Sequence, residues 1–170
     1  LNAHFASENT VFEAIELDSG CSGDVAGPAA QTLVDSGVVA VVGAACSGAS
    51  MGANAILSAA GIPMISYAST NPGLSDEAVY PHFYRVVPSD AIQGPAGAAM
   101  MADAGVTNES LAILHMTNDY GSGLADSIKT AWEEDGSLCS AGMQGYEETT
   151  TNFDAMVANI TDATDCNAVY

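Results

Sequence analysis

Residues 38–74, VVAVVGAACSGASMGANAILSAAGIPMISYASTNPGL, contain two apolar segments, each followed by a turn of small and polar residues. Residues 38–42 form a β-branched run typical of a strand that is buried on both faces of a parallel sheet. A helix is predicted to begin after them at Ser47 or Gly48, and a second buried strand is predicted over 62–66. The stretch therefore predicts a βαβ unit with a loop at the carboxyl end of each strand.

Those two loops are the predicted ligand site. The residues of the first loop, 43–50, are small enough to let a ligand approach the backbone, and free N–H groups at a helix start favour a carboxylate or a phosphate. The second loop, 67–71, reaches the same edge of the sheet. In open α/β sheets, ligands bind at this edge.

Composition limits the partners. The chain has 170 residues, of which 48% are hydrophobic, so it can build a core. It has 2 Lys+Arg against 21 Asp+Glu and a net charge of −19, which disfavours nucleic acid and anionic membrane surfaces as partners. No apolar run reaches the roughly 18 residues that a membrane-spanning helix needs, so we expect no membrane insertion in this segment.

The rest of the chain continues the same alternation of strands and helices. The predicted elements are a strand over 11–17, a helix over 24–36, a strand over 82–87, a helix over 91–104, a strand over 110–115, a helix over 124–135, a strand over 138–146, a helix over 152–163 and a strand that opens at 166. This alternation predicts an α/β fold with parallel sheets. Because the chain stops within the last predicted strand, we expect it to be a fragment.

The sequence gives little support to an enzyme or to a metal or cofactor site. It has no G-x-S-x-G elbow, G-x-G-x-x-G fingerprint or P-loop. The histidines at 4, 82 and 115 lie on different predicted elements at no metal-like spacing. We therefore expect no enzyme activity, no metal and no cofactor, although a flavodoxin-like α/β enzyme remains an alternative.

Four cysteines, Cys21, Cys46, Cys139 and Cys166, contain no C-x-x-C pair, so a structural zinc site is not expected. Two disulfides or four buried thiols are both compatible with these positions. The even number is consistent with an oxidising compartment.

Four motifs in this order, GAACSGAS, GIPMISYASTNPGLS, FYRVVPSDAIQGPAGA and ILHMTNDYGSGLADS, resemble the type I periplasmic binding proteins of the leucine/isoleucine/valine-binding group. The resemblance implies two doubly wound parallel-sheet lobes, incomplete at both ends of this chain. Residues 1–88 would be part of lobe one, on the side of the ligand carboxylate, and 89–170 part of lobe two.

The resemblance also implies which residues bind the ligand. Ser47, Ala68 and Thr70 correspond to the residues that hold the α-carboxylate and ammonium of an amino acid, with Ser69 beside them. The hydroxyls of Ser47 and Thr70 and the amides at the helix start are expected to neutralise the carboxylate. Tyr120 would cover the ligand from the opposite lobe.

This sequence departs from the family pattern at Gly48 and Ala49, where hydroxyl residues are common, and at Tyr67, where a small residue or proline is usual. Tyr67 is also kept as a candidate ligand-binding residue. The acidic residue that completes the ammonium site in the family is expected beyond Tyr170.

The resemblance pairs Cys21 with Cys46 in a disulfide. A second bridge between Cys139 and Cys166 would join the ends of two neighbouring strands of lobe two.

The implied function is that of a periplasmic or extracytoplasmic receptor of an ABC transporter. Its partners would be a small amino acid or a related carboxylate or amide, held between the lobes, and a transporter permease. The alternative is the ligand-sensing domain of a receptor or regulator with the same fold. A membrane-spanning or DNA-binding flanking segment would favour that alternative.

Overall fold

The computed structural model describes residues 11–170, which form two three-stranded parallel sheets with helices packed against them. The first half contains α1 (Gly23–Asp35), β1 (Val41–Val42), α2 (Ser47–Ala59), β2 (Met64–Ser66), a 3-10 helix (Pro72–Ser75) and β3 (Phe83–Arg85). The second half contains α3 (Asp90–Asp103), β4 (Leu111–Met116), α4 (Asp119–Trp132), β5 (Met143–Tyr146), α5 (Asp154–Asp162) and β6 (Ala168–Val169). This alternation confirms the predicted α/β class.

The strand order is β1-β2-β3 in the first sheet and β5-β4-β6 in the second, and every pair is parallel. Because parallel strands end on the same side of a sheet, the loops after β1 and β2 lie next to each other. The same holds for the segments that follow β4, β5 and β6. The topology therefore creates one polar edge in each half of the molecule, where a ligand would be expected.

Small residues let the helices of the first half approach each other closely. The first core consists of buried alanines, Leu57 and Met64 between α1, α2 and the sheet. The backbones of α1 and α2 meet at Gly23 and Gly52, where a methyl group added at Gly52 would collide with the Gly23 backbone. In the second half, Leu111 and Trp132 are buried together.

The strand predicted over 11–17 is wrong, since these residues have no regular secondary structure. The side chains of Val11, Ile15 and Leu17 are exposed, and within residues 11–170 no strand pairs with this segment. A strand is stable only when a neighbour accepts and donates its backbone hydrogen bonds. The apolar pattern alone was therefore an insufficient signal.

Several element boundaries also differ from the prediction. Strand β1 covers only Val41–Val42 instead of 38–42, and within residues 11–170 it lies at the edge of its sheet. The side chains of Val39 and Val42 are 87% and 78% exposed, so the run is not buried on both faces.

Helix α4 begins at Asp119 instead of residue 124, because the Asn118 side chain accepts a hydrogen bond from the Gly121 N–H at 2.8 Å and caps the helix start. Strand β5 begins at Met143 instead of 138, after Gly142, whose φ of +60° suits a turn and not a strand. Tyr120 consequently lies in the first turn of a helix and not in a loop.

All four cysteines form disulfides. Cys21 pairs with Cys46 and Cys139 with Cys166, each with a Cα–Cα distance of 5.2 Å, so both pairings are confirmed. The second bridge does not join neighbouring strands, however, because the strands that follow its two cysteines, β5 and β6, flank β4 on opposite sides. Two disulfides indicate an oxidising compartment.

Across residues 11–170, none of the helices is both long enough and apolar enough to cross a membrane. The same residues contain no cluster of three or more His, Cys, Asp or Glu side chains that could hold a metal ion. His4 lies outside the described residues.

Candidate ligand-binding site

A cluster of buried serines shapes the two loops of the first sheet. The hydroxyls of Ser50, Ser66 and Ser69 converge on the carbonyl oxygen of Ala44, at 3.2, 2.5 and 3.2 Å. Ser50 and Ser69 also share a hydrogen bond of 2.8 Å between their hydroxyls. Ser69 is only 1% exposed, so its hydroxyl is used inside the loop, and its predicted contact with a ligand stays a prediction.

Ser47 is the first residue of α2 and is also 1% exposed. Its Oγ accepts a hydrogen bond of 3.3 Å from the Asn71 N–H, and its own hydrogen has no acceptor among residues 11–170. The preceding residue, Cys46, makes no side-chain cap for the helix. A hydroxyl hydrogen and uncapped N–H groups thus meet at one helix start, which suits a carboxylate.

The Thr70 hydroxyl can offer a ligand an acceptor, whereas the Ser47 hydroxyl can offer a donor. The hydroxyl of Thr70 donates to Asp90 Oδ2 at 2.8 Å, and the Thr70 carbonyl oxygen accepts from the Asp90 N–H at 2.9 Å. Because a hydroxyl has a single hydrogen, Thr70 can present only its lone pairs to a ligand. This differs from the expectation that Thr70 would neutralise a carboxylate, since the geometry suits a ligand group that donates, such as an ammonium.

Asp90 was not selected from the sequence as a site residue. It is 0% exposed, and its Oδ1 has no hydrogen-bond partner. Burial raises the pKa of Asp90 above its ordinary value, although the Thr70 hydroxyl and the Arg85 charge oppose that rise. An aspartate in the first turn of a helix is a common structural feature. Asp90 differs from such helix-start residues in being completely buried.

Arg85 forms hydrogen bonds to the second loop and to the segment that follows it. Its Nη1 donates to the Asn71 carbonyl oxygen at 2.9 Å, and its Nη2 donates to the hydroxyl of Ser75. Burial lowers the pKa of Arg85, and the nearby charge of Asp90 opposes that shift. The guanidinium is therefore committed to the loop.

Tyr120 lines a cavity of about 180 Å³ at the carboxyl ends of the strands of the second sheet. Burial raises the pKa of its hydroxyl, and the charges of Asp90 and Tyr170 add to the shift, which places Tyr120 near the carboxylate that holds Thr70. Tyr146 and Tyr170 line the same cavity and were missed. Each stands at the carboxyl end of a strand, and this position was the available signal.

Tyr67 and Ala68 form the exposed turn after β2. The Tyr67 side chain is 57% exposed, and the Ala68 N–H donates to the Ser66 hydroxyl at 3.2 Å. Both residues are accessible to a ligand, and their predicted contacts stay predictions.

Asn71 connects the two halves of the molecule. Its N–H donates to Ser47, and its Nδ2 donates to the carbonyl oxygen of Asp119, at 2.5 Å. Asp119 directly precedes Tyr120 at the start of α4. Ser47, Thr70 and the start of α4 are thus linked by a short series of contacts through Asn71 and Asp90.

Comparison with known proteins identifies the family. The sequence model described as "Receptor family ligand binding region" matches residues 1–168. The leucine-specific-binding protein of Salmonella typhimurium is 29% identical over 160 residues, which are 94% of this chain and 42% of that protein. A leucine-, isoleucine-, valine-, threonine- and alanine-binding protein of Pseudomonas aeruginosa is 28% identical over 151 residues, 89% of this chain and 40% of that protein.

A second group of relatives consists of receptors. Metabotropic glutamate receptor 6 of Rattus norvegicus is 36% identical over 126 residues, which are 74% of this chain and 14% of the receptor. The chain spans less than half the length of each of these relatives. It belongs to the receptor family of ligand-binding regions and has the type I periplasmic binding-protein fold that its four motifs predicted.

Proposed function

We propose that this chain is part of an extracytoplasmic, periplasmic solute-binding protein of an ABC transporter. The protein would bind a small amino acid or a related polar solute and present it to a permease. The names of the bacterial relatives, which are amino-acid-binding proteins, support this function. The two disulfides support an oxidising compartment outside the cytoplasm.

The opposite polarities of Ser47 and Thr70 carry the proposal. Ser47 offers a hydrogen next to the uncapped start of α2, whereas Thr70 offers lone pairs because its hydrogen is donated to Asp90. The unpartnered Oδ1 of Asp90 adds a second buried acceptor. An α-amino acid carries a carboxylate and an ammonium close together, and this pair matches the two polarities.

We assign residues 1–88 to part of lobe one and 89–170 to part of lobe two. Lobe one would supply Ser47 and Thr70, and lobe two would supply Asp90 and cover the ligand with Tyr120. A ligand that touches both lobes only when they are together shifts the population toward the closed form. The permease would then recognise this closed form.

The similarity to a metabotropic glutamate receptor supports a second candidate, the ligand-sensing domain of a receptor. In that case, closure of the lobes around the ligand would change the conformation of a signalling domain of the same receptor, and no permease would be involved. Reconstitution of the full-length protein with the permease and ATPase subunits of an amino-acid ABC transporter from the same organism separates the two functions. Ligand-dependent ATP hydrolysis by that transporter supports transport, and its absence with intact ligand binding supports the receptor.

The binding site is tested by calorimetry on the full-length protein. A thermal-shift screen of the common L-amino acids identifies the probe, which is then titrated into the wild type and the Ser47→Ala and Thr70→Ala variants. Each variant should lose about 1.5–3 kcal/mol of binding free energy, because each removes a hydrogen bond to a charged group.

Thr32→Ala is the matched control. The Thr32 hydroxyl bonds to the Pro28 carbonyl oxygen on the exposed face of α1, away from both loops, so its removal should leave the affinity unchanged. Wild-type affinity in both Ser47→Ala and Thr70→Ala would reject this site. The absence of binding to every amino acid in the screen would reject the proposed ligand class.

A further inference from the structure

Asn71 uses each of its hydrogen-bonding groups. Its N–H donates to Ser47 Oγ at 3.3 Å, and its carbonyl oxygen accepts from Arg85 Nη1 at 2.9 Å. Its side-chain Oδ1 accepts from the Gly73 N–H at 2.7 Å and caps the 3-10 helix, which leaves Nδ2 as the donor to the Asp119 carbonyl oxygen. The first three bonds hold the residue within the first half of the molecule, and the fourth reaches the second half.

The start of α4 fits against Asn71 because two glycines leave room for it. At Gly123, an added methyl group would collide with the Asn71 amide and lie 3.2 Å from Pro72 Cδ. At Gly48, the second residue of α2, an added methyl group would collide with the Asp119 carboxylate. The two halves therefore have complementary surfaces on either side of the Asn71 hydrogen bond.

The halves also meet where Thr70 bonds to Asp90. Asp90 directly follows residues 86–89, which join β3 to α3, so the chain itself keeps this second contact together. Asp119 is 48 residues from Asn71 in sequence, and α3 and β4 lie between the junction and α4. A rotation of the second half about 86–89 would therefore separate Asn71 from Asp119 and leave Thr70 beside Asp90.

We propose that Asn71 is a positioning residue that couples ligand binding to closure of the two halves. The inference rests on the proposed function, since it takes the halves as lobes that close around an amino acid. The Asn71 N–H occupies a lone pair of the Ser47 oxygen and leaves the Ser47 hydrogen for the amino acid. The Asn71 side chain bonds to the other lobe only in the closed form. This bond favours the closed form, from which a bound amino acid dissociates more slowly.

The isosteric variant Asn71→Asp tests this coupling. Aspartate keeps the acceptor for the Gly73 N–H but places a second oxygen against the Asp119 carbonyl oxygen, where no hydrogen bond can form. Stopped-flow fluorescence on the full-length protein uses the L-amino acid that gives the largest thermal shift. Asn71→Asp should raise its dissociation rate about tenfold and leave its association rate within about threefold of the wild type, because the amino acid first meets the open form.

Asn118→Asp is the matched control. Asn118 caps α4 through Oδ1, directly before Asp119, and its Nδ2 contacts Met116 Sδ within the same half. The substitution therefore adds the same charge close to the same place without removing a contact between the halves. The dissociation rate of this variant should stay within about threefold of the wild type.

Gly123→Ala tests the same contact from α4. Alanine favours a helix more than glycine does, so this variant should resist urea at least as well as the wild type. Its methyl group meets the Asn71 amide only when the lobes are closed, so the affinity for the same amino acid should fall about tenfold. Gly27→Ala on α1 is the control, because its methyl group would lie 3.9 Å from the nearest atom of α2.

Several outcomes would overturn the inference. Wild-type dissociation from Asn71→Asp contradicts it, and an equal rise in Asn118→Asp would assign the effect to charge. A Gly123→Ala variant that loses affinity only in proportion to a loss of stability would reduce the contact to a structural one. If the wild type binds an amino acid and neither test variant differs from it, only this inference fails. A wild type that binds no amino acid rejects the proposed function and this inference with it.

Discussion

The edges of the two sheets have opposite character. At the carboxyl edge of the first sheet, buried hydroxyls bond to one another and to backbone carbonyl oxygens, as the cluster of Ser50, Ser66 and Ser69 shows. The same edge of the second sheet surrounds an open cavity of about 180 Å³ whose lining is largely apolar and aromatic. Hydrogen bonds thus hold the side chains of the first edge in place, whereas the second edge contains an open cavity that a ligand group could occupy.

This difference suggests how the two edges divide recognition. A hydroxyl whose hydrogen is already bonded within the protein can only accept a hydrogen bond from the ligand, and an ionised carboxylate can only accept as well. Such groups distinguish a donor from an acceptor on the ligand, because a mismatch leaves a buried polar group without a partner. An apolar cavity distinguishes ligands by size and shape and tolerates small changes. We therefore expect mutations in the first half to act on binding through geometry and those around the cavity to act through volume.

The largest expected effects come from the two disulfides, one in each half. They close loops of similar length, with sequence separations of 25 and 27, so chain entropy predicts a similar loss of about 3.5 kcal/mol in the free energy of unfolding for each. Replacing Cys21 and Cys46 by Ala should also weaken ligand binding, because Cys46 directly precedes Ser47. Replacing Cys139 and Cys166 should not.

Urea unfolding and calorimetry of the two double variants check this prediction. Equal losses of stability with unequal losses of affinity would support the division between the halves. A pair of variants that lose affinity to the same extent would show that the first edge has no special part in binding.

A smaller effect is expected where the helices cross. Ala at Gly52 would collide with the Gly23 backbone, and Ala at Gly94 would collide with Ser127 on α4. Forcing a methyl group into such a contact costs about 1–3 kcal/mol. Gly52→Ala and Gly94→Ala should cost similar amounts, because each methyl group would meet backbone atoms of the facing helix, including the carbonyl carbon of Ser127. Thermal unfolding of both variants tests this, and a loss confined to one of them would contradict it.

The sequence was sufficient for the α/β fold class, because that class follows from local patterns. The run at 38–42 and the small residues after it are typical of a βαβ unit in any context. Which acceptor each hydroxyl hydrogen bonds to could not be predicted, since this depends on which groups are close together in the folded structure. Nothing near Thr70 in the sequence indicates that Asp90, twenty residues later, accepts its hydrogen. The error at 11–17 has a similar cause, because an apolar pattern does not supply a neighbouring strand.

The structure predicts a modest role in stability for Ser69, which the sequence had placed among the ligand-binding residues. Its hydroxyl bonds to the carbonyl oxygens of Ala44 and Ala45 at 3.2 and 3.1 Å. Ser69→Ala should lower the free energy of unfolding by about 1 kcal/mol, the usual contribution of such a bond. Chemical denaturation measures this loss, with the exposed Ser36→Ala on the end of α1 as control. An unchanged stability together with lost binding would instead assign Ser69 to the ligand.

The smallest expected effect is the pH dependence that Asp90 gives to stability. Burial raises the pKa of Asp90 in the folded state above 3.8, so the folded protein retains this proton to higher pH than the unfolded chain does. The associated stability is fully present below the ordinary pKa and is lost as pH rises through the folded-state pKa. Asn at this position does not titrate. The Asp90→Asn variant should therefore become more stable relative to the wild type as pH increases from strongly acidic to neutral.

Urea unfolding of the wild type and Asp90→Asn across this pH range measures that slope. Asp103→Asn, at the exposed far end of the same helix, corrects for the change in net charge. The slope should be modest, because the Thr70 hydrogen bond and the charge of Arg85 oppose the burial effect. A slope of opposite sign would mean that those two partners outweigh burial and lower the pKa of Asp90 in the folded state. The Asp90 carboxylate, which the proposed site uses as an ionised acceptor, would then carry no net cost of burial.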